Sequence, residues 1–442
     1  MTGAPERIMV DFVGDGIGEG ELSWGQKENW ARVVRERNWL PLGGPFPLPA
    51  GTTVEDVADQ LRYIMSRFQS MRTLVRLDDE GRPVQVVHGS GEIPLEIIDA
   101  GDTDPDEVAA AVCDRYRRTE LDFTAEWPLR MGLIRRGGQP THTATMISHV
   151  AADVAGIFVL MDDLAAGRTT PVTGMTPLAQ ALWQRSPAGR RQTDAAMRYW
   201  AGVLRTIEPR RFHQQREHRL RYWHGEFVSA TLLPAARAIA AASGLGTSTV
   251  FLTVFAVALG HVTGINPVVV RPIVGNRFRP GLAGVVCTVA QAGVCVLDVA
   301  GVPFDEALRR VHSAVLNAYK YAYFDHEDLV ALRARIAQER GVTIDTACFL
   351  NDRHGLRGQR EAESPHQIPD DAGTFRWVRG QEDPPGEPLF VEIDDLPGDS
   401  ILVSVFPDTR SVSLADAESL AHGMEAVAMA AATDRPFVAG PR

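Results

Sequence analysis

Apolar and polar positions along the chain follow two registers, one with helical spacing and one with strand spacing. In LSWGQKENWARVV, Trp30, Val33 and Val34 fall at helical spacing, and Ser23 with Gln26 three residues on has the form of a capping box, so a helix starts near Ser23. The Pro- and Gly-rich stretch Pro41 to Gly51 reads as a loop, and helical spacing returns from Thr53, in the cap position, to Phe68. TLVRLDD and VQVVH flank Gly81-Arg82-Pro83 and predict two strands joined by a turn. Asp104 to Arg118 opens on Asp104-Pro105 with acidic residues in its first turn, a helix start. PLRMGLIRRG and THTATMISHV predict strands around the turn Gly137-Gly138-Gln139-Pro140. The second strand runs into Ser148 and His149, and AADVAGIFVLMDDL after it has the length and pattern of a buried helix.

Ala165 to Gly189, rich in Gly, Thr and Pro, reads as a connecting region, followed by a helix from about Thr193 to Leu204. Strand-like EFVSATLL precedes two apolar helices, Pro234 to Ala242 and Ser248 to Val262. VVVRPIVG, Val294 to Val299 and TACFLND predict strands, with helices from Pro303 to Tyr319 and Glu327 to Arg340. His354 to Pro388, polar and of mixed charge, reads as one long loop; a hairpin around Pro397-Gly398-Asp399 and a helix close the chain. More helix than strand, interleaved, predicts α/β (α+β) layering rather than a bundle or sandwich, and two halves of similar plan predict two lobes.

Composition narrows the function. The 442 residues are 45% hydrophobic and 23% charged, enough to bury a sizeable core. Forty-five Lys plus Arg against 56 Asp plus Glu give a formal charge of −11, which argues against nucleic acid or an anionic membrane as a partner of the whole molecule. Cys113, Cys287, Cys295 and Cys348 form no CxxC and have no His at zinc-finger spacing, so neither a metal site nor a disulfide framework is predicted. The N-terminus lacks the basic-then-apolar order of a secretory signal, and Val250 to Leu259 is too short to span a bilayer; a cytoplasmic location is expected.

Ser148-His149-Val150-Ala151-Ala152-Asp153 is the leading candidate for chemistry, because a His at the end of an apolar strand and before a helix is presented at an edge where substrate can approach. Its neutral imidazole accepts a proton near pH 7. Arg205 to Arg221 holds six arginines against Glu208 and Glu217. Such a run is either a solvated face or, through Arg210, Arg211, Arg216, Arg219 and Arg221, a docking patch for an acidic partner or its phosphate. Gly14, Gly16, Gly18 and Gly20 lack a GK[ST] and stand among Asp15, Glu19 and Glu21, so they read as a flexible leader and not a phosphate loop.

Over nearly its full length the chain resembles the condensation domain of nonribosomal peptide synthetases, in the chloramphenicol-acetyltransferase-like superfamily, whose signature is HHxxxDG. SHVAADV matches it with Ser148 for the first His, His149 for the second, Asp153 for the Asp and Val154 for the Gly. ELSWGQKENW resembles the S-x-x-Q-x-x-x-W opening, SRFQSMRTLVRL the R-H-E-x-L-R-T segment, and ELDFTAEWPLRMGLIR the acidic segment ahead of the active-site strand. PLAQALWQRS and MRYWAGVL resemble the inter-lobe region, PIVGNRFRPGLAG the G-R segment, and YFDHEDLVAL and CFLNDR two later motifs.

The resemblance implies a V-shaped pseudodimer of two acetyltransferase-like lobes, here 1–175 and 176–442, around a central tunnel. It implies acyl transfer from a carrier-protein phosphopantetheine thioester to an amine, as in antibiotic biosynthesis, with no bound metal or cofactor and with acyl or peptidyl carrier proteins as partners. The chain leaves no room for adenylation or carrier domains, so a stand-alone enzyme is expected. His149 would act as base or as positioning group. Asp153 would pair with an arginine of the other lobe, for which Arg277 is the best match; a solvated loop charge beside Arg279 is the other reading of Arg277. Three departures stand out: Ser148 for His, Val154 for Gly with Gly156 two residues on able to relieve the turn, and CTVAQAGV without the usual Asn-Thr pair. An ester-forming or coenzyme A-dependent acyltransferase, and a non-catalytic module that recruits a tailoring enzyme, are the alternatives.

Overall fold

The structure, a computed structural model, describes residues 6–212, 220–356, 372–382 and 387–433. The chain divides into two compact units, Met1–Arg191 with Gly275–Ala290, and Gln192–Val274 with Gln291–Arg442.

The first unit contains strands β1 (Glu6–Val13), β2 (Gly18–Glu21), β3 (Pro41–Pro47), β4 (Thr73–Leu77), β5 (Pro83–Val87), β6 (Ser90–Asp99), β7 (Leu129–Arg136) and β8 (Gln139–Ser148). Its helices are α1 (Trp24–Glu36), α2 (Val54–Arg67), α3 (Pro105–Arg118), α4 (Val154–Ala165) and α5 (Pro177–Arg185). A five-stranded sheet runs β1-β6-β7-β8-β3, and β2-β5-β4 form a small second one. Alternation along the strands gives the large sheet two apolar faces. Leu61 and Met65 of α2 pack with Val10, Ile93, Leu95 and Leu133, whereas Val108 and Val112 of α3 pack with Ile98, Ile134, Ala144 and Met146. Both faces are thereby covered, which leaves the strand ends for function.

In sequence, α6 (Pro187–Thr206) straddles the division between the units. The second unit contains β9 (Tyr222–Ser229), β10 (Val268–Val274), β11 (Gln291–Ala292), β12 (Cys295–Leu297), β13 (Cys348–Asp352), β14 (Thr374–Gln381), β15 (Leu389–Asp395) and β16 (Ile401–Pro407). They form one sheet ordered β11-β10-β13-β15-β16-β9-β14, with β12 also paired to β10. Its helices are α7 (Leu232–Ser243), α8 (Thr247–Thr263), α9 (Phe304–Lys320), α10 (His326–Arg340) and α11 (Leu414–Ala432). Helix α8 is apolar on every side from Val250 to Leu259 and is buried along that length, packed against α7, α9 and α11. No single helix among the described residues is long and apolar enough to cross a membrane.

The mixed α/β layering is as the pattern predicts, but several local expectations are corrected. Part of the proline-rich stretch read as a loop is the edge strand β3, antiparallel to β8. Pro41, Pro45 and Pro47 share one parity, so the amides they lack all belong to the open edge. The glycines read as a flexible leader are built in: Gly14 donates to Gly89 O at 2.8 Å, a Cβ there would lie 2.3 Å from Ser66 O, and Gly18 and Gly20 belong to β2. The connecting region holds α5, capped by Thr176 with Pro177 at its first position. Within the long polar stretch, 374–381 form β14 on the edge beside β9. Strand β6 was not anticipated, because Pro94 interrupts its pattern; Pro94 pairs only with β1, and pairing to β7 begins at Leu95.

Candidate active site

Strand β8 ends at Ser148, and the five residues from His149 to Asp153 turn the chain into α4. The turn is made by backbone bonds that the local sequence permits. Ser148 O accepts the amides of Ala151 and Ala152 at 2.9 and 3.2 Å, and Asp153 caps α4 by accepting from Gly156 N at 2.7 Å. Ser148 is wholly buried. Its hydroxyl donates to Trp39 O at 2.9 Å and accepts from Val150 N at 3.3 Å, so it braces the turn from inside.

His149 is half-buried, and no side chain among the described residues hydrogen-bonds its ring. Burial pushes its pKa below the ordinary histidine value, and the positive charge of Arg32 on α1 acts in the same direction. Asp153 and the carbonyls of His149 and Ala152 oppose them. The ring is therefore neutral near pH 7, in the form that accepts a proton. Its backbone is held on both sides: the amide donates to Leu40 O at 2.9 Å, and the carbonyl accepts from Thr288 Oγ1.

Asp153 is 3% exposed and is the centre of the surrounding bonds. Oδ1 accepts from Arg277 Nη2 as well as from Gly156 N, and Oδ2 accepts from Val289 N and Ala290 N, both at 3.0 Å. Arg277 is thus the partner of Asp153 and not a solvated loop charge. It lies in Gly275–Ala290, which the structure groups with the first unit although the segment connects β10 and β11 of the second. Gly156 is where close approach occurs: a Cβ there would lie 3.0 Å from Arg277 Nη2 and 3.2 Å from Asp153 Oδ1. Val154, the first residue of α4, is half-buried. Beside this cluster burial pushes the Cys287 thiol up to about 12, so it is an inert packing group.

The arginine run does not form one surface. Arg210 is exposed, but Arg211 is 6% exposed, donating to Asp345 O at 2.9 Å and to Val269 O at 2.5 Å. Arg221 makes a two-pronged pair with Asp408 at 2.9 and 2.6 Å, and Arg216 and Arg219 lie outside the described residues. Among the described residues no group of three or more His, Cys, Asp or Glu could hold a metal ion.

A family model described as "Condensation domain" matches residues 46–370. The chain belongs to the condensation-domain family. This condensation domain is 27% identical over 288 residues to chondramide synthase cmdD of Chondromyces crocatus, covering 61% of this chain and 7% of that protein. It is 27% identical over 302 residues to phosphinothricin tripeptide synthetase PhsC of Streptomyces viridochromogenes, covering 63% and 27%. Of cyclosporin synthetase simA from Tolypocladium inflatum, 25% identical over 288 residues, the match spans 61% of this chain and only 2% of the relative. Among solved structures, the X-domain from teicoplanin biosynthesis superposes with a TM-score of 0.71 at 17% identity, covering 95% of this chain and 96% of that one. The SgcC5 protein of Streptomyces globisporus gives 0.69 at 20%, covering 94% and 100%. These likenesses give the condensation domain its chloramphenicol-acetyltransferase-like fold.

Sequence reasoning singled out His149, Ser148, Asp153, Gly156 and Arg277, and the structure brings them together. It missed Thr288 and the amides of Val289 and Ala290. The only signal for them was the segment CTVAQAGV, read for the pair it lacks and not for the threonine it keeps.

Proposed function

We propose that this condensation domain joins an acyl group, carried as a thioester on the phosphopantetheine arm of a carrier protein, to an amine, with His149 as the group that takes the amine proton. The amine nitrogen attacks the thioester carbonyl and a C–N bond forms. The C–S bond then breaks, the carrier thiol leaves with a proton, and an amide remains. Orientation of the two reactants supplies part of the acceleration and a correctly placed proton acceptor the rest. The observation that carries this reading is a neutral, half-buried imidazole with no side-chain partner among the described residues, on a turn braced by Asp153 and Arg277. Asp153, Arg277, Ser148 and Gly156 then serve as supports, and the domain works in the cytoplasm with acyl or peptidyl carrier proteins.

The test is intact-protein mass spectrometry of acylated carrier proteins with an amine, using wild type and His149→Ala. The variant is expected to lose about 10²–10⁴-fold in rate. Unchanged turnover by His149→Ala overturns the role of His149. Product formed from acyl-coenzyme A and not from the acyl carrier favours the coenzyme A-dependent alternative. Production in cells that survives His149→Ala but not deletion of the chain favours recruitment.

A further inference from the structure

We propose that Thr288 is a positioning residue for His149, acting through the backbone of the catalytic turn; this rests on His149 being the proton acceptor. A side chain starts from its own Cα–Cβ bond, so whatever fixes the peptide planes around His149 fixes the origin and direction from which the ring extends and limits the rotamers open to it. No side chain among the described residues hydrogen-bonds the ring itself, so the backbone from which it extends carries more of its placement. Two groups hold that backbone, one on each side.

On the N-terminal side His149 N–H meets Leu40 O at 2.9 Å. Leu40 has φ 51°, a left-handed conformation that a leucine adopts only when its surroundings impose it. Asn38 Oδ1 accepts from Leu40 N at 2.8 Å and fixes that conformation, with the carbonyl directed at His149. On the C-terminal side the hydroxyl of Thr288 donates to His149 O.

Thr288 can do this because it has no freedom of its own. It is wholly buried, and its carbonyl lies where a Cβ on Gly25 would come within 2.4 Å. The next two amides are held by Asp153 Oδ2, Val289 O accepts from Asn276 Nδ2 at 2.9 Å, and Val286 O accepts from Ser70 Oγ at 2.7 Å. The threonine is a fixed donor on a fixed strip of chain. Removing only its hydroxyl would take the side-chain donor from a partly buried carbonyl at the residue whose ring must be aimed.

Thr288→Val keeps the shape and removes the donor; Thr288→Ser keeps the donor. Two measurements are made on the full chain. In the first, histidine ring nitrogen–proton correlation spectra locate the His149 signals by their loss in His149→Ala; Thr288→Val is expected to shift or broaden them and Thr288→Ser to leave them in place. In the second, turnover of an acylated carrier with an amine is expected to fall about 10- to 100-fold in kcat for Thr288→Val, with KM within twofold, and to recover to at least a third of wild type in Thr288→Ser. Ring signals unmoved in Thr288→Val, or equal losses in both variants, overturn the positioning role. Ring signals that move as expected in a protein with no turnover on any donor leave Thr288 in its role and remove the reading of His149 as base.

Discussion

Asp153 and Arg277, 124 positions apart in sequence, share a hydrogen bond beneath the turn that carries His149. Their side chains are 5% and 16% exposed, so removing one partner strands a charge away from water. Asp153→Ala is expected to destabilise the protein by about 3–5 kcal/mol. The double variant Asp153→Ala/Arg277→Ala should lose less than the two single losses summed, read by denaturant or thermal unfolding. Strict additivity would show that the two do not act as a pair.

Gly156 and Val154 should respond in opposite ways to a change of one side chain. Gly156→Ala pushes a methyl toward the Arg277 guanidinium and is expected to cost about 1–3 kcal/mol. Val154→Gly, at the half-buried first position of α4, should cost at most about 1 kcal/mol. Thermal unfolding of the two variants checks the order; a reversal would place the tight contact at position 154.

Arg32 should set the acid limb of the pH profile. In its proposed role His149 must be neutral to accept a proton, so the rate should fall as pH drops through its pKa, which burial and then the Arg32 cation hold below the ordinary histidine value. Arg32→Gln removes that repulsion, raises the His149 pKa and moves the acid limb to higher pH. An unmoved limb, or one displaced to lower pH, would show that Arg32 does not act on the ring.

Arg210 and Arg211 are adjacent and should behave differently. Arg211→Ala leaves the carbonyls of Val269 and Asp345 without their donor and is expected to cost about 1–3 kcal/mol. Exposed Arg210→Ala should leave unfolding within about 0.5 kcal/mol. If carrier proteins dock on this run, their affinity should fall with Arg210→Ala at unchanged stability.

The helices were legible because their signals are local: Ser23 and Gln26 cap α1, Thr53 and Asp56 cap α2, and Ser413 caps α11. Strands β3 and β6 were not legible, because whether a proline is tolerated depends on which edge of the strand is open, and only pairing decides that. At the site, His149 and Asp153 carry the signature spacing and were found directly. Thr288 could not be found that way, because its role depends on where a segment far along the chain comes to lie. Arg211 was misplaced on the surface for a related reason: charge is written in the sequence, but the carbonyls that claim Arg211 are not.

The discontinuity of the first unit limits how the protein can be dissected. Truncation after Arg191 would yield a polypeptide that keeps His149, Asp153 and every strand of the five-stranded sheet. It would lack Arg277, Thr288, Val289 and Ala290. Such a fragment would hold the His149 turn with its scaffolding withdrawn, so the minimal piece fit for testing the proposed role extends at least through Ala290 and necessarily includes part of the second unit.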